Sequence, residues 1–94
     1  MKTTDIPLGP AANTPGEILQ SEFLQPMGLS MREIARRMGC GPMAVSEIVR
    51  GKRAVTARMS ILLGHALGVS PAFFLGLQMD YDLARAALSL RQAA

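Results

Sequence analysis

Apolar side chains recur three and four residues apart in five separate runs along this chain. They are Ile18-Leu19-Phe23, Ile34-Ala35-Met38, Val45-Ile48-Val49, Met59-Leu62-Leu63-Ala66-Leu67 and Phe74-Leu77-Tyr81-Ala84-Leu88. This is the spacing of one face of an α-helix, and no segment shows the alternation of a strand. The pattern predicts an all-α fold of five helices.

The polar and special residues between the runs place the boundaries. Thr14-Pro15-Gly16-Glu17 combines an N-cap, a proline at the first helical position and a capping-box glutamate, so the first helix is expected from Pro15 to about Leu24. Pro26 and Gly28 are expected to end it. Ser30 and Glu33 repeat the capping-box spacing and start the second helix. Pro42 to Arg50 forms the third, with Gly51 as its C-cap glycine. Thr56 caps the fourth, Gly68 stops it, and Ser70-Pro71 opens the fifth. Gly64 and Gly76 fall inside helical patterns at about 1 kcal/mol each against alanine, which points to close helix approach, in the core or at a subunit contact. Residues 1–13, with two prolines and few large apolar groups, form an expected mobile arm; residues 14–94 form one domain.

The second and third runs sit on short helices joined by Gly39-Cys40-Gly41. Two helices crossing through a glycine-bearing turn make a helix-turn-helix, the unit that lays its second helix in the DNA major groove. Charge follows the same segment. The chain carries a formal +3, but residues 30–60 hold seven cations (Arg32, Arg36, Arg37, Arg50, Lys52, Arg53 and Arg58) against Glu33 and Glu47. Residues 1–29 are net −2, and residues 61–94 are neutral. A +5 block confined to the helix-turn-helix is the footprint of a phosphate-binding face.

Periodicity divides the third helix. Val45, Ile48 and Val49 face inward, which leaves Met43, Ala44, Ser46, Glu47 and Arg50 outward. Met43 and Ala44 offer apolar contact suited to a thymine methyl, Ser46 a base-edge or phosphate contact, and Glu47 either an acceptor for a cytosine amino group or a charge that repels the wrong sequence. Arg50, Lys52 and Arg53, at the helix end and loop, suit phosphates, as do Ser30 and Arg32 at the start of the second helix. So little direct hydrogen-bonding chemistry implies indirect readout or a dimer of modest half-sites.

The remaining composition narrows the class. An apolar fraction of 49% with 4% aromatics fits a compact helical protein. No apolar run approaches the roughly 20 residues of a membrane span. The first residues lack the basic start and apolar core of a signal peptide, and the lone Cys40 suits a reducing compartment, so a cytoplasmic location is expected. Cys40 is expected to pack rather than react. The single histidine, His65, has no acidic or thiol neighbour at helical spacing, and no phosphate loop, zinc-ligand spacing or catalytic carboxylate pair occurs. No enzyme, cofactor or metal is expected.

From Thr14 to about Ala84 the chain resembles the HigA-type antitoxins, a branch of the lambda-repressor-like (XRE, Cro/C1-type) helix-turn-helix family. TPGEILQSEFLQPMGLS, EIVRGKRAVTA and LLGHALGVSPAFFLGLQMDYDL carry the resemblance. It implies a cytoplasmic homodimer that neutralises a RelE-like endoribonuclease toxin and represses their shared operon at a palindromic operator. The alternative is a free-standing repressor without a toxin. The chain departs from the family pattern in three places: Met31 in place of a phosphate-contacting glutamine, Gly41-Pro42 at the start of the third helix, and Phe74 in place of tryptophan.

The long fifth run suggests a dimer contact through Leu77, Tyr81, Ala84 and Leu88, with Ile61 and His65 nearby on the fourth helix. The resemblance implies a basic toxin, for which a +5 face is a poor dock. Asp5, Glu17 and Glu22 are the expected toxin surface, with Asp80 and Asp82 as a second choice.

Overall fold

The computed structural model describes residues 13–93. Apart from Asn13, the expected arm lies outside them. Five helices follow in order, with no strand among the described residues.

Helix α1 is built in three consecutive pieces: an α-helical turn Pro15–Ile18, a π-helical stretch Leu19–Leu24 and a last α-helical turn Gln25–Met27. Its start is capped as the sequence predicts: Thr14 Oγ1 accepts from the Glu17 amide at 3.1 Å, and Glu17 Oε1 accepts from the Thr14 amide at 2.9 Å. Its end differs, because the helix continues through Pro26 to Met27 before Gly28 (φ 65°) turns the chain. A proline inside an α-helix clashes with the carbonyl four residues back. The preceding π turn, in which the Gln25 amide reaches Gln20 O, widens the coil and lets the helix pass the ring.

Helix α2 (Met31–Met38) and helix α3 (Pro42–Val49) cross through the Gly39-Cys40-Gly41 turn. Gly39 takes φ 71°, and the Cys40 amide closes back onto Ala35 O at 3.0 Å, the 6→1 bond of a Schellman turn. Ser30 caps α2 by accepting from the Glu33 amide at 3.0 Å. The expected second capping box is only half made, because the Glu33 carboxylate turns instead to Arg36. Helix α4 (Ala57–Leu67) runs from its Thr56 cap to Gly68 as predicted. Helix α5 (Phe73–Ala93) starts two residues later than Pro71 suggests, since Ser70 Oγ accepts from the Ala72 amide and holds residues 71–72 in a turn.

The core gathers one side of every helix: Leu19 and Leu24, Ile34 and Met38, Val45 and Ile48, Met59 and Leu63, and Phe74. Each large apolar side chain fully buried there contributes about 1.5–3 kcal/mol. Phe23, Phe73 and Phe74 form an edge-to-face trio, with centroids 5.1–5.9 Å apart, that joins α1 to α5. Phe74, at the position where the family pattern has tryptophan, is wholly buried in the core.

Two glycines explain how closely the elements approach. A Cβ on Gly64 would lie 2.7–3.0 Å from backbone atoms of Val69, Ser70 and Pro71, so its role is the turn into α5 rather than a subunit contact. Gly76 has open space where its Cβ would stand, which removes the close-approach explanation there. Gly16 was not anticipated by periodicity at all. Its Cβ would fall 1.9 Å from Ile48 O, so the backbone of α1 rests directly on the last turn of α3.

Candidate nucleic-acid interface

Helix α3 presents its outer face because Val45 and Ile48 are wholly buried beneath it. Met43 projects furthest, with 66% of its surface exposed; Ser46 and Glu47 are half-buried and Arg50 is exposed. Ala44 differs from expectation. It is half-buried against the core cluster, because α2 crosses close to the start of α3 and covers that side. The outward set is therefore Met43, Ser46, Glu47 and Arg50. Gly41 occupies the N-cap without a side chain to accept from the first turn, and Pro42 supplies no donor.

Around this face the cations fall into two groups. Arg36 and Arg37 of α2 close on Glu33, with the Arg36 Nη2 to Glu33 Oε1 pair at 2.6 Å. The Arg36 hydrogen bond holds the Glu33 carboxyl below the usual carboxylate range and raises the Arg36 guanidinium in return. Arg53 closes on Glu47 at 2.7 Å across the end of α3. The pairing couples two residues that the sequence offered separately, so each constrains the other. Arg32, Arg50, Lys52 and Arg58 are exposed and enter no ion pair among the described residues. Arg50 bends back, its Nε 3.4 Å from Ser46 O.

Ser30, exposed at the start of α2, spends its oxygen on the Glu33 amide and keeps its hydroxyl hydrogen for a phosphate. Arg32 is exposed one turn-position on. Met31 is half-buried and packs against the core, so it does not replace the glutamine contact. Cys40 is a half-buried free thiol packed on the same cluster.

The residues expected at a dimer contact differ in exposure. Ile61 (55% exposed), His65 and Leu88 lie in the open, while Tyr81 and Ala84 are half-buried. Leu77 packs against the core. The most exposed apolar row on α5 is a different one, Leu75, Met79 and Leu83, about half a turn around the helix. Sequence periodicity missed it because α5 is apolar on two nearly opposite faces, and only packing tells which is covered. Gln78 was missed for the complementary reason: a polar residue between the two rows, it is nearly buried. Tyr81 and Arg85 stack with the guanidinium carbon 5.7 Å from the ring centre, and the phenolic oxygen accepts from Arg85 at 3.0 Å.

Two short helices across a glycine turn, an exposed second helix and a cationic loop at its end define a helix-turn-helix domain. The helix-turn-helix family matches residues 21–74. Virulence-associated protein I of Dichelobacter nodosus is 41% identical over 69 residues, covering 73% of this chain and 64% of that protein. Antitoxin HigA-1 of Vibrio cholerae is 41% identical over 68 residues, covering 72% of this chain and 64% of its own length. The chain thus spans somewhat under two-thirds of these curated relatives. The structure of the Pseudomonas aeruginosa antitoxin HigA with higBA promoter superimposes with a TM-score of 0.81 at 35% identity, over 87% of this chain and 89% of that one. The chain belongs to the helix-turn-helix family, in its HigA-type antitoxin branch. This is a family of regulators, not enzymes. No helix among the described residues is long and apolar enough to cross a membrane.

Proposed function

We propose that this protein is a cytoplasmic, homodimeric DNA-binding antitoxin that represses its own operon and neutralises a RelE-like endoribonuclease. The observation that carries the DNA half is the exposed face of α3 ending in the Lys52–Arg53 loop, on a fold shared with an antitoxin solved with its promoter. Phosphate contacts from Ser30, Arg50, Lys52 and Arg53 orient the domain, Arg32 lies beside them at the DNA-facing side, and Met43 and Ser46 meet base edges. With one apolar and one hydroxyl group for readout, much of the specificity comes from DNA shape.

The toxin half rests on the family and on charge. Glu22 is exposed on α1, on the acidic third of the chain and apart from the cationic block. Glu17 is also exposed, although its carboxylate holds the cap of α1. Asp80 and Asp82 are exposed on α5; Asp5 lies outside the described residues.

Two measurements test the reading. A mobility shift with the DNA upstream of the gene should give a salt-sensitive complex, and co-expression with the neighbouring gene product should restore growth. Binding without rescue leaves a free-standing repressor. Loss of rescue on reversing Glu22 to lysine, with operator binding intact, locates the toxin surface on α1.

A further inference from the structure

Residues 51–56 have no regular structure, yet they carry Lys52 and Arg53. The loop is fastened at its start by the Gly51 amide on Ile48 O at 3.0 Å and the Lys52 amide on Glu47 O at 2.8 Å. At its end the Thr56 cap begins α4. Between these points one long-range bond fixes it: the Val55 amide donates to Gln78 Oε1 of α5 at 2.8 Å. Val55 is 3% exposed and Gln78 is 9% exposed, so water offers little replacement for this acceptor. The other end of the same side chain, Nε2, donates to Asp82 Oδ1 at 2.9 Å. A carboxylate can only accept, so Asp82 decides which end of the Gln78 amide faces Val55. The two bonds form a strut from one turn further along α5 to the loop.

We propose that Gln78 is a positioning residue for DNA binding: it holds the Val55 amide and thereby sets where Lys52 and Arg53 stand, with Asp82 orienting Gln78. The inference rests on the reading above that Lys52 and Arg53 meet phosphates. Asparagine or serine at position 78 would be too short to span to the loop, and a leucine would fill the space but leave the Val55 amide unpaired. Gln78 also floors an apolar groove of about 480 Å³ between the loop and α5, walled by Ala54, Leu75, Met79 and Leu83. The strut therefore separates the DNA-facing loop from the most exposed apolar row of the molecule.

The test is a double-mutant cycle on the full chain, read as operator affinity across a salt series, with circular dichroism and thermal melting confirming that each variant folds. The variants are Q78L, K52A/R53A and their combination. Q78L should weaken operator binding and flatten the salt slope toward that of K52A/R53A, each displaced cation removing about 0.9 from the slope per contact. In the K52A/R53A background Q78L should change affinity by less than about twofold, because the groups it positions are gone. An unchanged slope in Q78L, or the same fold-loss in both backgrounds, overturns the proposal and leaves Gln78 a stabilising residue. An unchanged slope in K52A/R53A itself overturns the DNA assignment of the loop, a distinct failure. If Q78L does not fold, D82N replaces it in the cycle: it keeps the acceptor and loses only the orienting carboxylate, and its smaller loss must likewise vanish without Lys52 and Arg53.

Discussion

Glu47 and Arg53 are bridged across the end of the recognition helix by a single carboxylate oxygen, Oε1, which accepts from Nε at 3.1 Å and from Nη2 at 2.7 Å. The bridge joins the groove-facing helix to the loop behind it. It also sets a carboxylate beside the cationic loop and restrains the Arg53 guanidinium. Glu47→Gln should release Arg53 and remove that negative charge. Exposed pairs of this kind are worth up to about 1 kcal/mol, so non-specific affinity should rise by up to roughly fivefold. The ratio of operator to competitor-DNA affinity should fall, as titration against both will report.

The salt dependence of operator binding measures the cationic contacts directly. If Arg50, Lys52 and Arg53 of each dimer subunit meet phosphates, about six contacts give a logarithmic slope near −5. K52A/R53A should bring it to about −2, weakening all sequences alike. Fluorescence anisotropy from low to moderate salt checks both numbers.

Two glycines in helices should respond oppositely to alanine. Gly16→Ala forces a methyl group into Ile48 O, so α1 and α3 must separate; a loss of about 1–3 kcal/mol or more is expected in denaturant melts. Gly76→Ala meets open space and gains helix propensity, raising stability by up to about 1 kcal/mol.

Under the homodimer reading, the exposed row of Leu75, Met79 and Leu83 on α5 is the surface expected to pair two copies. Met79→Lys with Leu83→Lys should yield a folded monomer by light scattering at micromolar concentration. Operator affinity should drop with it, because paired recognition helices about 34–36 Å apart are what a palindrome rewards. Leu88→Lys should have a smaller effect.

Acid should loosen α2 through Glu33. Hydrogen bonding from Arg36, reinforced by Arg37, lowers its folded-state pKa. Its stabilising contribution is thus present above the ordinary carboxylate pKa and is lost as pH falls through the depressed folded value. Glu33→Gln should reduce the loss of melting temperature on acidification, compared with the parent in matched buffers.

Much of this architecture was legible in the residues. Thr14, Ser30 and Thr56 announced three helix starts because a cap is a local device, readable from a side chain and its neighbours three positions on. The α3 stripe was legible because a short helix with one buried face has one apolar side. What depended on distant neighbours was not. Pro26 suggested a helix end, but the π turn before it accommodates the ring. Ala44 looked outward until α2 covered it. Glu47 and Arg53 were read singly because nothing local shows that a loop brings them together, and Gln78 drew no reading because its partner, the Val55 amide, is 23 positions away.

Gly16 gives the reading head a mechanical character. With no side chain between them, the backbone of the first helix seats against the carbonyl that closes α3, and that joint has no slack for a rotamer change to take up. In a DNA complex a joint of this kind is expected to leave adjustment to the duplex. Operator variants should then be ranked by how readily their unread central steps twist and bend, with flexible pyrimidine–purine steps favoured over stiff A-tracts if the fit demands a kink, and the reverse if it demands a narrow groove.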